Sequence, residues 1–285
     1  MVVHPEAGSR MRGNWPAMGA ATLLLLSSIV GCATPPEGPP APIDPGAWTV
    51  GAYLPGTHSH NDYDRRRPLL DALSHGFASI EADIVLRDGE LLVAHAEDEA
   101  TRDRTLAGLY LEPLRALLEA RNGTLYPAPA PPLQLLLDIK TEPVSTFEAL
   151  DALLAGYPTL FTRWEDGVRI DGPVIAIVSG ERAQGEIASS EPRRMAIDGR
   201  RYEPRNDAAT DLIPLVSINW DDTDTGKDRM GTAAGWVSEM QAEGRAIRFW
   251  NAGDRPETWA WLRALGVDYI GTDDPAALAR FLRGG

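Results

Sequence analysis

The chain has 285 residues, an apolar fraction of 44% and a formal charge of −14. This length suits one α/β barrel or two smaller domains, and the apolar share is enough for a real core. The negative balance argues against nucleic acid as a partner, because phosphate backbones are bound by basic surfaces.

The chain opens with a basic start, Arg10 and Arg12, and an apolar run, Met18 to Val30, too short to span a membrane comfortably. Cys32 is the only cysteine, so no disulfide forms within the chain. Ile29-Val30-Gly31-Cys32 is similar to a bacterial lipobox, and that likeness implies cleavage before Cys32 and lipidation there. The expected organisation is therefore a signal peptide over 1–31, a lipidated Cys32 with a Pro-rich stalk over 32–47, and a folded domain over 48–285. It implies an exported bacterial cell-envelope lipoprotein, facing the periplasm or exterior and tethered to a membrane by its lipid.

Within the folded domain, strand-like runs alternate with helical patterns. Ala52 to Leu54 is the first strand, leading to the loop Thr57-His58-Ser59-His60-Asn61-Asp62-Tyr63. A helix starts at Pro68 and ends near Gly76. Ile80 to Val85 is the second strand, and Asp88-Gly89 turns it into a hairpin with Leu91 to Ala94. A helix over Leu111 to Ala120 precedes Leu133 to Ile139, the clearest buried strand. Thr146 to Leu154 reads as a helix and Val174 to Val178 as a strand. Ser179 to Thr210 is polar and weakly periodic, with a short strand at Met195 to Ile197. Ile213 to Ile218 is another strand. The last third alternates helix Thr232 to Glu243, strand Ala246 to Trp250, helix Pro256 to Leu265, strand Tyr269 to Gly271 and helix Pro275 to Leu282. This alternation predicts a parallel sheet covered by helices. Polar residues follow successive strands (His58, Asp83, Asp138, Ser179, Asn219, Asn251, Asp273), which favours a closed TIM-type (β/α)8 barrel, whose strand ends converge on one mouth.

Glu81 and Asp83 are alternate residues of one strand and so share a face. Two like charges on a buried strand are costly unless a cation or proton relieves them. Asp138, at the end of Leu135-Leu136-Leu137, supplies a third carboxylate, and three such groups make an all-oxygen site suited to Mg²⁺ or Ca²⁺. The same carboxylates could instead form buried salt bridges, Lys140 being the obvious partner; residue types alone leave the two readings level. The histidines decide between them. His58 and His60 follow the first strand and His95 the hairpin, where imidazoles near a divalent cation can serve as general base and acid for displacement at phosphorus. The rival is a zinc amidohydrolase site begun by His58-Ser59-His60, but no histidine follows His95 to complete it. No G-x-S-x-G elbow, dinucleotide fingerprint or phosphate loop is present.

The motifs His58-Ser59-His60-Asn61-Asp62-Tyr63, Ile80-Glu81-Ala82-Asp83, Leu92-Val93-Ala94-His95, Leu137-Asp138-Ile139-Lys140, Phe249-Trp250-Asn251 and Gly266 to Asp273 span nearly the whole domain in order. Together they resemble the PI-PLC-like phosphodiesterase superfamily, which includes glycerophosphodiester phosphodiesterases and sphingomyelinase D-type enzymes, and most of all its altered-inheritance-of-mitochondria branch. The resemblance implies a barrel with metal ligands Glu81, Asp83 and Asp138, an acid/base pair of His58 or His60 with His95, and a phosphate contact from Lys140. His58 is the expected member of its pair, because Asn61 then lies three residues on, as in sphingomyelinase D-type sites. Asn61, Trp250 and Asn251 are the further candidate substrate contacts. The H-R-G…P-E-N-T segment of glycerophosphodiesterases is missing, so the resemblance does not carry over a glycerophosphodiester itself as the substrate.

The expected activity is metal-dependent phosphoric diester hydrolysis, on a phospholipid-derived or glycerophosphodiester-like small molecule. The competing expectation is a catalytically idle barrel that binds a phosphorylated ligand intact.

Overall fold

Eight parallel strands close on themselves in a computed structural model that describes residues 48–284 apart from 128–129, 206–207 and 227. In chain order the strands are β1 (Leu54–Ser59), β2 (Phe77–Arg87), β3 (Glu90–Val93), β4 (Leu133–Ile139), β5 (Arg163–Glu165), β6 (Val168–Ile170), β7 (Val174–Gly180), β8 (Ala196–Arg200), β9 (Leu215–Asn219), β10 (Ala246–Trp250) and β11 (Tyr269–Thr272). The barrel runs β1-β2-β4-β7-β8-β9-β10-β11 and closes by pairing β11 with β1. β3 folds back antiparallel on the end of β2, as the Asp88-Gly89 turn predicts. The cysteine, the leader and the Pro-rich stretch over 1–47 lie outside the described residues.

The covering helices are α1 (Leu70–Ser74), α2 (Glu112–Ala120), α3 (Pro143–Ala155), α4 (Gln184–Ser189), α5 (Arg229–Ala242), α6 (Pro256–Leu265) and α7 (Pro275–Arg283). Local chemistry sets several of their ends. Pro143, Pro256 and Pro275 stand in the first turns of α3, α6 and α7, where a missing N–H costs nothing. Glu142 and Asp274 accept from first-turn amides of α3 and α7. A π-helical turn, Ala107–Leu111, runs into α2. Among the described residues no α-helix joins β8 to β9, so this crossover departs from a regular βα repeat.

Strand alternation divides the chain into an outer and an inner core. Ile80, Ala82 and Ile84 of β2 and Leu135, Leu137 and Ile139 of β4 point outward into the helix layer. Each such fully buried leucine or isoleucine side chain contributes about 1.5–3 kcal/mol of burial free energy. Leu136, Ile177, Ala196 and Leu215 point inward and surround Trp164 from the β5–β6 hairpin. This hairpin, which the periodicity did not reveal, plugs the barrel from below. The Arg193 guanidinium lies 3.7 Å from the centre of the Trp164 ring, and the two residues exchange backbone hydrogen bonds of 2.8 Å. The plug fills one part of the lower interior, while Asp83 and Asp138 are carried toward the strand ends at the mouth.

Two boundaries correct the sequence reading in ways that matter above. β1 extends to Ser59 rather than stopping at Leu54, so His58 belongs to a strand and not to a loop. The polar stretch 179–210 contains α4 and β8, and β8 carries Asp198 and Arg200 on its inward face, next to Ser179 of β7.

Candidate active site

Two polar tiers line the barrel interior beside the plug and beyond it. In the lower one, Gln134 Nε2 donates to Ser79 Oγ at 2.8 Å, Ser79 Oγ is 2.8 Å from His58 Nδ1, and His58 Nε2 is 2.8 Å from Glu81 Oε2. Arg248 donates from Nη1 to the same Glu81 oxygen at 3.0 Å and from Nε to Ser217 Oγ at 2.7 Å, while Nη1 also touches His58 Nε2. All of these side chains are buried. Burial, reinforced by the Arg248 charge, pushes His58 down to about 4, so the ring is neutral at pH 7. Burial disfavours ionised Glu81, but Arg248 and the His58 hydrogen bond outweigh it and hold the carboxyl well below its usual range.

The upper tier is built on Asp83 and Asp138. Asp83 Oδ2 accepts from His95 Nδ1 at 2.8 Å and from Lys140 Nζ and the Tyr63 hydroxyl, both at 3.0 Å. Its other oxygen, Oδ1, is buried and has no partner. Asp138 Oδ1 receives Lys140 Nζ at 3.0 Å. Burial raises the Asp138 carboxyl, Lys140 working against it; burial opposes the Lys140 charge, yet its two carboxylates hold the ammonium above its usual value. Gly180 makes room for Asp138: it adopts φ +68°, and a Cβ there would stand 2.2 Å from Asp138 Oδ1.

Glu81, Asp83 and Asp138 each present an oxygen within 4.8 Å of the others'. All-oxygen donors and an orphaned buried carboxylate oxygen fit a hard divalent cation, because an unpartnered charged acceptor in a dry site costs several kcal/mol.

His60 stands at the rim. Its Nδ1 is 2.9 Å from Asp273 Oδ1, and a carboxylate only accepts, so Nδ1 carries the proton and Nε2 is left free. Arg65 donates to the His60 carbonyl at 2.9 Å and lies 3.6 Å from Asp273 Oδ1, and the Asp273 amide donates to Asp254 at 2.6 Å. Burial works against the charged ring, but Asp273 and Glu81 outweigh it and raise its pKa. His95 repeats the arrangement across the mouth, with Nδ1 on Asp83 and a largely exposed ring.

These positions correct the preference for His58 over His60. His58 lies within β1, whereas His60 stands just past its end, where its amide donates to the Thr272 carbonyl at 3.0 Å, and so is nearer the mouth. His58 is 0% exposed with both nitrogens engaged, whereas the His60 side chain is 34% exposed. Asn61 has φ +47° and shares the Tyr63 hydroxyl with Asp83, at 3.1 Å. Trp250 is exposed at the end of β10, and Asn251 donates to Asp221 Oδ2 at 2.8 Å, which directs it along the rim.

The sequence reading missed Arg248, Ser79, Tyr63 and Asp273 as partners. Arg248 had a visible signal, a lone charge inside Ile247-Arg248-Phe249, and Asp273 was placed at a strand end without a partner, while Ser79 and Tyr63 become evident only when the strands are placed side by side.

A family profile described as an AIM6-like phosphodiesterase domain matches residues 52–198, more than half of the chain. The chain belongs to the AIM6-like phosphodiesterase domain family. Altered inheritance of mitochondria protein 6 of Eremothecium gossypii is 29% identical over 286 residues, covering 84% of this chain and 74% of that protein. The homologue from Arthroderma benhamiae is 28% identical over 258 residues, covering 76% of this chain and 80% of its own. A crystal structure of a glycerophosphodiester phosphodiesterase from Parabacteroides distasonis shares the fold, with a TM-score of 0.50 at 14% identity, over 82% of this chain and 99% of that one. The relationship to the PI-PLC-like phosphodiesterase superfamily and the TIM-type barrel are thereby established. The expected bacterial cell-envelope localisation is overturned by the same relatives, which are yeast and fungal proteins.

Proposed function

We propose that the chain is a metal-dependent phosphoric diester hydrolase acting on a small phosphodiester or lipid-derived substrate. The observation that carries this reading is the pair of mouth histidines, each tied through Nδ1 to a carboxylate and each with Nε2 free, flanking three convergent carboxylates. Glu81, Asp83 and Asp138 would hold Mg²⁺ or Ca²⁺, and a bound cation supplies charge neutralisation for the phosphate oxygens. Lys140 would neutralise a further phosphate oxygen from its seat between Asp83 and Asp138. Asp273 keeps the His60 proton on Nδ1, so Nε2 can take a proton from the attacking hydroxyl or water. His95, oriented by Asp83, would start as the imidazolium and give its Nε2 proton to the leaving alkoxide, ending as the neutral ring while His60 ends protonated; the roles reverse if the substrate enters the other way round. Asn61 and Trp250 would border the substrate alcohols, with Asn251 beside them at the rim.

The test is turnover of bis-(p-nitrophenyl) phosphate and of natural diesters, with added Mg²⁺ or Ca²⁺, by His60→Ala, His95→Ala and Glu81→Ala. Removing a general acid or base is expected to lower turnover about 10²–10⁴-fold. Wild-type turnover in all three variants would sink the assignment.

A further inference from the structure

The lower tier contains a histidine for which the acid/base chemistry has no use. His58 cannot reach a substrate, yet its surroundings are fully specified. Gln134 Nε2 carries only hydrogens, so it donates to Ser79 Oγ. Ser79 then directs its own hydrogen to the one remaining partner, His58 Nδ1, which must accept it. An ionised Glu81 Oε2 can only accept, so it takes its hydrogen from His58 Nε2, although the Arg248 guanidinium, itself only a donor, crowds the same nitrogen. The chain Gln134→Ser79→His58→Glu81 runs one way, and each link is 2.8 Å.

Glu81 Oε2 thus receives two donors from below and beside it, His58 and Arg248. Asp83 shows the same division of labour: Oδ2 is taken by Tyr63, His95 and Lys140, while Oδ1 is free. In both carboxylates one oxygen is saturated by protein donors and the other is left for a ligand.

We propose that His58 is a positioning residue that fixes Glu81 as a one-oxygen metal ligand, its own tautomer being set by Ser79 and Gln134. The proposal rests on the metal-site reading above. It assigns separate tasks to the two histidines of the His58-Ser59-His60 doublet: His58 orients a ligand from inside the barrel, and His60 faces the substrate at the mouth. Donors that orient metal ligands typically change affinity 10–100-fold when removed.

The experiment is isothermal calorimetry of Mg²⁺ and of Ca²⁺, without substrate, on the full-length wild-type chain and on His58→Leu, His58→Gln, Ser79→Ala and His60→Asn. His58→Leu is expected to weaken binding about tenfold or more, and His58→Gln, whose amide can still donate to Glu81, to recover part of the loss. Ser79→Ala is expected to weaken binding a few-fold, about three to ten, and to convert the single Nε2–H signature of His58 in ¹⁵N imidazole spectra into a tautomer mixture. His60→Asn is expected to bind metal within about twofold of wild type while losing turnover. Should His58→Leu fail to fold, the Ser79→Ala titration and spectrum decide alone. Wild-type affinity in both His58→Leu and Ser79→Ala would overturn the proposal. So would a His58→Leu variant that binds metal normally but loses turnover as completely as His60→Asn. A wild-type chain that binds neither cation would instead refute the metal-site reading itself, and this proposal with it.

Discussion

Replacing Arg248 by Met tests the electrostatics of the barrel interior. The guanidinium is 4% exposed, donates to Glu81 Oε2 at 3.0 Å and to Ser217 Oγ at 2.7 Å, and faces a neutral His58. Met fills a similar volume but leaves a buried carboxylate with no counter-charge. Breaking a buried pair from one side costs about 3–5 kcal/mol, because the remaining charge has lost its solvent and its partner. Removing the second charge as well, in Arg248→Met/Glu81→Gln, is expected to recover most of this loss, leaving the double variant within about 1–2 kcal/mol of wild type. The pH dependence has a definite sign. Without Arg248, burial acts with less opposition and the folded-state pKa of Glu81 rises. A carboxyl raised in the folded state destabilises as pH climbs through that pKa, so the deficit of Arg248→Met should be largest at pH 8 and shrink toward pH 5. Urea denaturation in EDTA, at pH 5 and pH 8, measures all of this. An Arg248→Met variant within about 1 kcal/mol of wild type at pH 8, or no recovery in the double variant, would refute the reasoning.

Three further outcomes are expected. Asp273→Asn removes the acceptor that raises the His60 pKa, so the acid limb of the pH–rate profile should move to lower pH while kcat falls; a limb that stays in place would mean that His60 is not the group seen there. Asp62 is fully buried, accepts from Ser59, Tyr110 and the Leu69 amide, and is pushed by burial from 3.8 up to about 6. The folded state therefore binds more protons than the unfolded one between about pH 4 and pH 6, and stability attributable to this group, about 3 kcal/mol, is lost as pH rises through that window. Denaturation curves of Asp62→Asn should lack this slope. Gly180→Ala forces an L side chain into φ +68° with its Cβ 2.2 Å from Asp138 Oδ1; a loss of about 1–3 kcal/mol and weaker cation binding by calorimetry are expected.

Strand identity was legible where one physical signal dominated. Leu133–Ile139 is buried on both faces and reads as an uninterrupted apolar run, and the Pro-Gly punctuation of the last third fixed α6, β11 and α7 almost to the residue. The acidic triad was legible for a similar reason: carboxylates inside apolar strands are too costly to be incidental, and i, i+2 spacing puts Glu81 and Asp83 on one face. What was hidden depends on partners brought together from across the chain. Gly56 and Pro55 break the pattern of β1, so the strand appeared to stop before His58, and the pairing with β2 and β11 that carries it onward is a tertiary effect. The β5–β6 hairpin is three residues per strand, too short for any periodicity, and only its Trp164 plug explains its presence. Choosing between His58 and His60 required the depth of each along the barrel axis, which spacing in sequence does not contain.

Phosphorus-31 NMR of the purified chain with bis-(p-nitrophenyl) phosphate and a panel of natural phosphodiesters, first in EDTA and then with excess Mg²⁺ or Ca²⁺, tests the hydrolytic, metal-dependent site most directly. Conversion of at least one diester resonance to its monoester or cyclic product is expected only after the cation is added, and should be lost in Glu81→Ala. No conversion of any diester with either cation, or conversion at the same rate in EDTA, would contradict the assignment of Glu81, Asp83 and Asp138 as the centre of a phosphodiesterase.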